Sequence, residues 1–280
     1  DASTDDTPAL LERYRNDHGV HVVRHDPPRG LSGARNAGAA ASTAPYVGWI
    51  DDDDLTAPER LARQHAALRS TGARWSCTGM VDVDDDLTVI GHARCRDGDG
   101  SLATLLRSNT LPATGQGLLV ERSLFEEAGP FDETLDSAED WDYVIRLAAI
   151  APPQLIDAPL VGYRTGFASM STDTARMDRA IARVVAKHAD LYAAAGVEPD
   201  WATIHQSLLP ADLPAGRGPA ARRAWRSLTA GPSARAAARL AMVVASPDRF
   251  ARRSRARRRE QVPAEWVTRA DRWLADVKRV

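Results

Sequence analysis

Two periods alternate along the chain as far as about residue 170. Short apolar runs rich in β-branched and aromatic residues fall at 20–23, 46–50, 75–81, 115–120, 155–156 and 160–163. Runs of that length and composition predict buried strands. Between them apolar residues recur at helical spacing. Leu10, Leu11 and Tyr14 share one face, 31–42 is alanine-rich, and Leu61 and Leu68 mark the expected inner side of 58–70. Further helices are predicted at 102–106, 121–128 and 139–150, the last carrying Trp141, Val144, Ile145 and Ala148 as a stripe. Helix-end signals agree: Ser3 and Thr4 can cap, Gly19 ends a helix, Pro58 opens one, and Gly129-Pro130 closes one. Asp82 to Asp86 precedes a second apolar run, so a hairpin turn is a better reading there than a metal site.

Beyond about residue 172 the pattern becomes helical throughout, with helices predicted at 175–194, 220–229, 234–245 and 264–277. In the last of these Trp266, Ala270, Trp273 and Val277 share a face. The pattern predicts an α/β class with a mostly parallel sheet flanked by helices over residues 1–172, and a helical C-terminal appendage over 173–280.

Composition changes this picture little. Hydrophobic residues make up 44% and charged residues 26%, with a net charge of -2. These are ordinary values for a globular chain. No apolar run is long enough for a membrane span, and no signal peptide opens the chain. Cys77 and Cys95 make neither a disulfide framework nor a metal cluster and read as buried thiols in a reducing compartment. The seven histidines show no metal-ligand spacing. Neither a dinucleotide fingerprint nor a P-loop is present.

The chemistry concentrates where the 46–50 run ends in Asp51, Asp52, Asp53 and Asp54. Four adjacent carboxylates are costly unless a cation or solvent relieves them. A hard divalent ion with oxygen ligands is the natural partner, and a solvated acidic turn is the plain alternative. A second acidic group, Glu139-Asp140, sits on the first turn of the 139–150 helix, where it can point into a cleft or simply cap.

Four segments occur in a fixed order: Asp1-Ala2-Ser3-Thr4-Asp5-Asp6-Thr7, then Gly30 to Gly38 (Gly-Leu-Ser-Gly-Ala-Arg-Asn-Ala-Gly), the aspartate run, and Gly129-Pro130-Phe131-Asp132-Glu133 with Glu139-Asp140-Trp141-Asp142 and Arg146. Together, over about residues 1–171, they resemble the family 2 glycosyltransferases of the GT-A (Rossmann-like) fold. The resemblance implies an inverting, metal-assisted transfer of a sugar from a nucleotide-sugar, most simply a UDP-sugar, to a hydroxyl of a polysaccharide, glycolipid or other glycoconjugate. It implies donor contacts from Asp1, Gly30, Arg35, Asn36, Asp51 and Asp52. It implies Mn²⁺ or Mg²⁺ held by Asp53 with Asp51, a base at Asp140 beside Glu139, and an acceptor-side role for Trp141. Many relatives carry a histidine where this chain has Gly166; here water fills the place, Ser169 or Ser171 helps, or the metal site is looser. They also carry a strand and helix ahead of the loop that contains Asp1. The alternatives are an inactive truncated scaffold or a nucleotidyltransferase on a similar sheet.

Arg252, Arg253, Arg255, Arg257, Arg258 and Arg259 form a basic strip. It reads either as a solvated helix face or as a contact for an anionic membrane surface that presents lipid-linked acceptors. The expectation is therefore a cytoplasmic protein, peripheral on the inner face of the membrane. Nucleic acid is not an expected partner, because no aromatic interleaving accompanies the arginines.

Overall fold

A computed structural model describes residues 1–18, 20–165 and 173–278. Gly19, Gly166, Ser169 and Ser171, all used in reading the sequence, lie outside the described residues. In chain order the elements are α1 (Thr7–His18), α2 (Gly30–Ala40), β1 (Tyr46–Gly48), β2 (Leu55–Thr56), α3 (Arg60–Thr71), β3 (Trp75–Val83), β4 (Val89–Ala93), α4 (Leu102–Arg107), β5 (Leu118–Glu121), α5 (Arg122–Ala128), α6 (Glu139–Ile150) and β6 (Gln154–Arg164). Seven helices follow: α7 (Thr174–Lys187), α8 (Ala189–Ala195), α9 (Trp201–Asp212), α10 (Arg217–Ala230), α11 (Ala234–Ala245), α12 (Pro247–Glu260) and α13 (Ala264–Val277).

The sheet order is β1-β5-β3-β6-β2, with β4 hairpinned onto β3. The α/β class stands, but the ladder is mixed and not mostly parallel. Among the described residues only β3 and β6 run parallel; the other pairings are antiparallel. The reason is local. Residues 46–55 do not form one strand: β1 lies at one edge against β5 and β2 at the other against β6. The chain from Trp49 to Asp54 therefore crosses the end of the sheet between its two edges. Residues 20–23 join no ladder among the described residues, and Val20, Val22 and Val23 are exposed.

β3 is the centre, buried at every position but Met80. Its first half feeds the larger core cluster, with Leu118, Val120, Tyr143, Ile145 and, from α7, Ile181 and Val184. Its second half feeds a smaller one, closed by Trp266, Ala270, Trp273 and Leu274 of α13. Leu274, and not Val277, completes that face, and Val277 is exposed. The indoles rest on glycines: a Cβ at Gly79 would come within 2.4 Å of Trp266, and one at Gly162 within 2.9 Å of Trp273.

On α3 the inner side is Arg60, Gln64 and Leu68, while Leu61 is exposed. The pattern misled because the buried polar groups are satisfied. Gln64 donates to Ser76 Oγ at 3.1 Å and to the Gly117 carbonyl at 2.9 Å, and accepts from Arg60 at 3.2 Å. The predicted 175–194 helix breaks at His188, whose ring meets the fully buried Asp142 at 2.9 Å. Arg146 and Lys187 also reach Asp142, each at 2.9 Å. Burial pushes that carboxyl up, but the His188 hydrogen bond and the two cations outweigh it and hold Asp142 well below the usual range. This cluster locks α6 to α7.

Candidate active site

Arg35 joins the two acidic groups. It enters from α2 with only 6% of its side chain exposed and lies over the Phe131 ring. Its Nη2 donates to Asp51 Oδ1 and its Nη1 to Glu139 Oε1, both at 2.9 Å. Thus the aspartate run and the start of α6, 88 residues apart in sequence (139 − 51), meet on one guanidinium. Trp49, Phe131 and Tyr143 pack beneath, with Phe131 stacked on Tyr143 at 4.2 Å.

The aspartates themselves form a turn, closed by Asp54 N–H donating to the Asp51 carbonyl at 3.2 Å. Asp51 points inward, Asp52 and Asp53 stand exposed at the tip, and Asp54 is buried. Gln116 Nε2 bridges Asp51 at 3.0 Å and Asp54 at 2.6 Å, and the Arg164 N–H donates to Asp54 at 3.0 Å. Gln116 and Thr114 were not anticipated from the sequence. The available signal was a polar residue between two glycines. A Cβ at Gly115 would stand 2.9 Å from Arg35 Nη2, so this loop can approach the cluster only without a side chain there.

Glu139 and Asp140 are set by Ala138, whose left-handed φ of 54° turns the chain into α6. Glu139 is buried. Burial and then the Asp140 charge raise its pKa, and Arg35 opposes them. Asp140 is partly exposed; it accepts from its neighbour Trp141 N–H at 2.7 Å and from the Thr114 hydroxyl. Trp141 is in the core, its indole donating to the Leu105 carbonyl at 2.7 Å, so it braces the acidic pair from behind.

An open groove of about 690 Å³ lies along α2 and the aspartate turn, lined by Arg35, Asp51, Asp52, Asp53 and Tyr163 among others. Glu139 and Asp140 do not line it; they reach it through Arg35 and the 114–116 loop. A neighbouring cavity of about 680 Å³ shares Ala34, Gly38 and Ser42 with the groove and contains Asp1. The Asp1 carboxylate accepts from the Arg29 and Gly30 N–H groups at 2.9 and 2.8 Å and meets His25 at 3.0 Å. Gly30, at φ 75°, gives that loop its left-handed bend. Asn36 is occupied elsewhere, exchanging hydrogen bonds with the Phe131 backbone and reaching Glu133 at 3.0 Å.

No three His, Cys, Asp or Glu side chains converge as a ligand set among the described residues. Two carboxylates on one exposed turn nevertheless fit a Mg²⁺ or Mn²⁺ whose remaining ligands are phosphate oxygens and water. Asp53 at the tip is the freer of the pair, since both oxygens of Asp51 already accept from Arg35 and Gln116.

Burial lifts the Asp54 carboxyl to about 6, despite the Arg164 N–H. The folded-state pKa lies above the unfolded value, so neutral Asp54 stabilises the fold at low pH. That stabilisation is lost as pH rises through about 6, and amounts to roughly 3 kcal/mol at most. Thermal melts of wild type should fall between pH 4 and 7 relative to Asp54→Asn; parallel profiles would refute this.

Residues 1–129 match the family described as Glycosyl transferase family 2. That match covers just under half of the 280 residues, and over it the chain is similar to that family. The chain is 31% identical over 166 residues to the succinoglycan biosynthesis protein ExoO of Rhizobium meliloti (strain 1021), covering 54% of this chain and 45% of that protein. It is 24% identical over 181 residues to an uncharacterized glycosyltransferase of Haemophilus influenzae, covering 58% of this chain and 57% of the relative. The chain thus spans about half the length of the curated relatives it matches. Among solved structures, S. aureus TarS 1-349 in complex with UDP-GlcNAc superposes with a TM-score of 0.52 at 16% identity, covering 93% of this chain and 81% of TarS. The mannosyltransferase PcManGT from Pyrobaculum calidifontis, in complex with GDP-Man and Mn²⁺, superposes with a TM-score of 0.50 at 20% identity, covering 98% and 76%. The fold of this chain is the GT-A fold of these structures. No described helix is long and apolar enough to cross a membrane.

Proposed function

We propose that the chain transfers a sugar from a nucleotide-sugar donor, in the first instance a UDP-sugar, to a hydroxyl of a glycan or lipid-linked acceptor, with inversion at the anomeric carbon. The observation that carries this reading is the junction at Arg35, where the aspartate turn and the acidic pair of α6 meet beside one groove. The nucleotide sugars held in the two superposed structures and the succinoglycan in the name of ExoO support the substrate classes.

In this reading Asp53 and Asp51 hold the metal and Asp52 contributes to donor binding from the same turn. A divalent cation there neutralises the departing diphosphate. Arg35 keeps Asp51 in place and offsets its charge. Asp140 takes the proton of the attacking hydroxyl, because it is the more exposed of the pair and Glu139 is committed to Arg35. A single base on the acceptor side implies one displacement, hence inversion. Asp1 and Gly30 shape the cavity next to the groove, the natural place for the nucleobase.

Isothermal titration of UDP into the 280-residue chain should show tighter binding with Mn²⁺ than without. In Asp53→Asn that metal enhancement should disappear. Equal affinities with and without Mn²⁺ would remove the metal from this reading.

A further inference from the structure

The arginines of α12 divide between two sides. Arg252, Arg255 and Arg259, spaced by three and four residues, line with Arg258 a cavity of about 870 Å³ between α12, the end of α9 and β3-β4; Arg249, Arg253 and Arg257 do not. The facing wall is apolar, with Ile90, Pro210, Leu213 and Pro214. Two acids line the cavity, Asp82 and Asp248. Asp82 is buried and spent on Arg258 at 3.2 Å. Among the described residues Arg252, Arg255 and Arg259 have no ion-pair partner, and the four lining arginines exceed the two lining aspartates, so the cavity holds an excess of guanidinium charge.

Its position is equally specific. Tyr163 lines the groove by the aspartate turn, and Thr165, two residues on, lines this cavity. Asp82 of the cavity is in register with Tyr163 on the neighbouring parallel strand. Adjacent strands stand about 4.8 Å apart, so the cavity and the groove abut across the end of β6.

We infer that this cavity binds a phosphate ester carrying an apolar stem, with the phosphate on Arg252, Arg255 and Arg259 and the stem against Ile90, Leu213 and Pro214. Guanidinium forks match phosphate oxygens bidentately, and the volume suits a small ligand. Resting on the sugar-transfer reading, the occupant is the anionic end of the acceptor, held beside the donor groove.

The test is calorimetric titration of hexyl phosphate into the 280-residue chain. Saturable binding is expected, weakened by at least about tenfold in the R252A/R255A variant, the scale of losing charge-assisted hydrogen bonds. R249A/R253A should stay within about twofold, as screened surface charges do. R252K/R255K, which keeps the charge and loses the fork, should also bind more weakly, and unchanged circular dichroism melts should show that all variants fold. Absence of hexyl phosphate binding by wild type, or equal losses in the two alanine pairs, would overturn the proposal.

Sedimentation with phosphatidylglycerol and phosphatidylcholine vesicles separates a bilayer headgroup from a free ester. Vesicle binding that hexyl phosphate competes away supports the cavity. Vesicle binding lost only in R249A/R253A overturns it in favour of the outward face. Hexyl phosphate binding in a chain that does not bind UDP would leave the cavity standing and remove the donor reading.

Discussion

Asp140→Asn is expected to lower the rate of sugar transfer by about 10²- to 10⁴-fold, the range lost with a positioned proton acceptor. Donor affinity should be unchanged. The substitution preserves shape. The Asn carbonyl can still accept from Trp141 N–H, and its amide can donate to the Thr114 hydroxyl, so the side chain keeps its place and loses only its basicity. The measurement pairs a transfer assay over a panel of nucleotide sugars with UDP titration. A variant that loses donor binding in step with rate would move Asp140 to the donor side, and one with an unchanged rate would exclude it as the base.

Arg35→Met should destabilise the fold by about 3–5 kcal/mol, the scale of stripping the cation from a buried ion pair. One guanidinium serves both Asp51 and Glu139, and Met fills its volume without its charge. Glu139 is already raised by burial and by Asp140, and it would rise further. The deficit should therefore shrink as pH falls and Glu139 becomes neutral. Urea denaturation at two pH values reads this directly. The double variant Arg35→Met/Glu139→Gln should recover part of the loss, since the uncompensated charge is gone. A loss in the single variant independent of pH, with no recovery in the double, would mean that packing over Phe131 and not charge dominates.

Much of this arrangement was legible in sequence order. The helices at 139–150, 234–245 and 264–277 match α6, α11 and α13, because each has a clear apolar stripe and a definite start. The hairpin at Asp84 to Thr88 also formed, with the Asp84 carboxylate accepting from the Thr88 N–H at 2.8 Å. What remained hidden follows from long-range pairing. Nothing local tells that 46–48 and 55–56 sit on opposite edges of the sheet, nor that β5 runs against β3. The helix α9 was missed because it contains Pro210, and α12 was legible only as a solvated basic helix face because it has no apolar stripe. In the site, residue types pointed to Arg35, Asp51 and Glu139, but only coordinates could show that Arg35 serves both carboxylates. Gln116 escaped because a lone glutamine carries no chemical signature. Trp141 and Asn36 show the converse: their neighbours in sequence are in the site, while their own polar atoms are bonded to core carbonyls and to the Phe131 backbone.

The indoles of α13 lie in the hollows above Gly79 and Gly162, and β3 leaves the ribosome long before α13 does. During synthesis the central strand must wait with two aromatic-sized gaps open to water. A chain stopped before Trp266 would leave Val81, Val83 and Leu160 without the face that covers them. The end of β6 nearest the aspartate turn thus depends for its packing on the last helix of the chain.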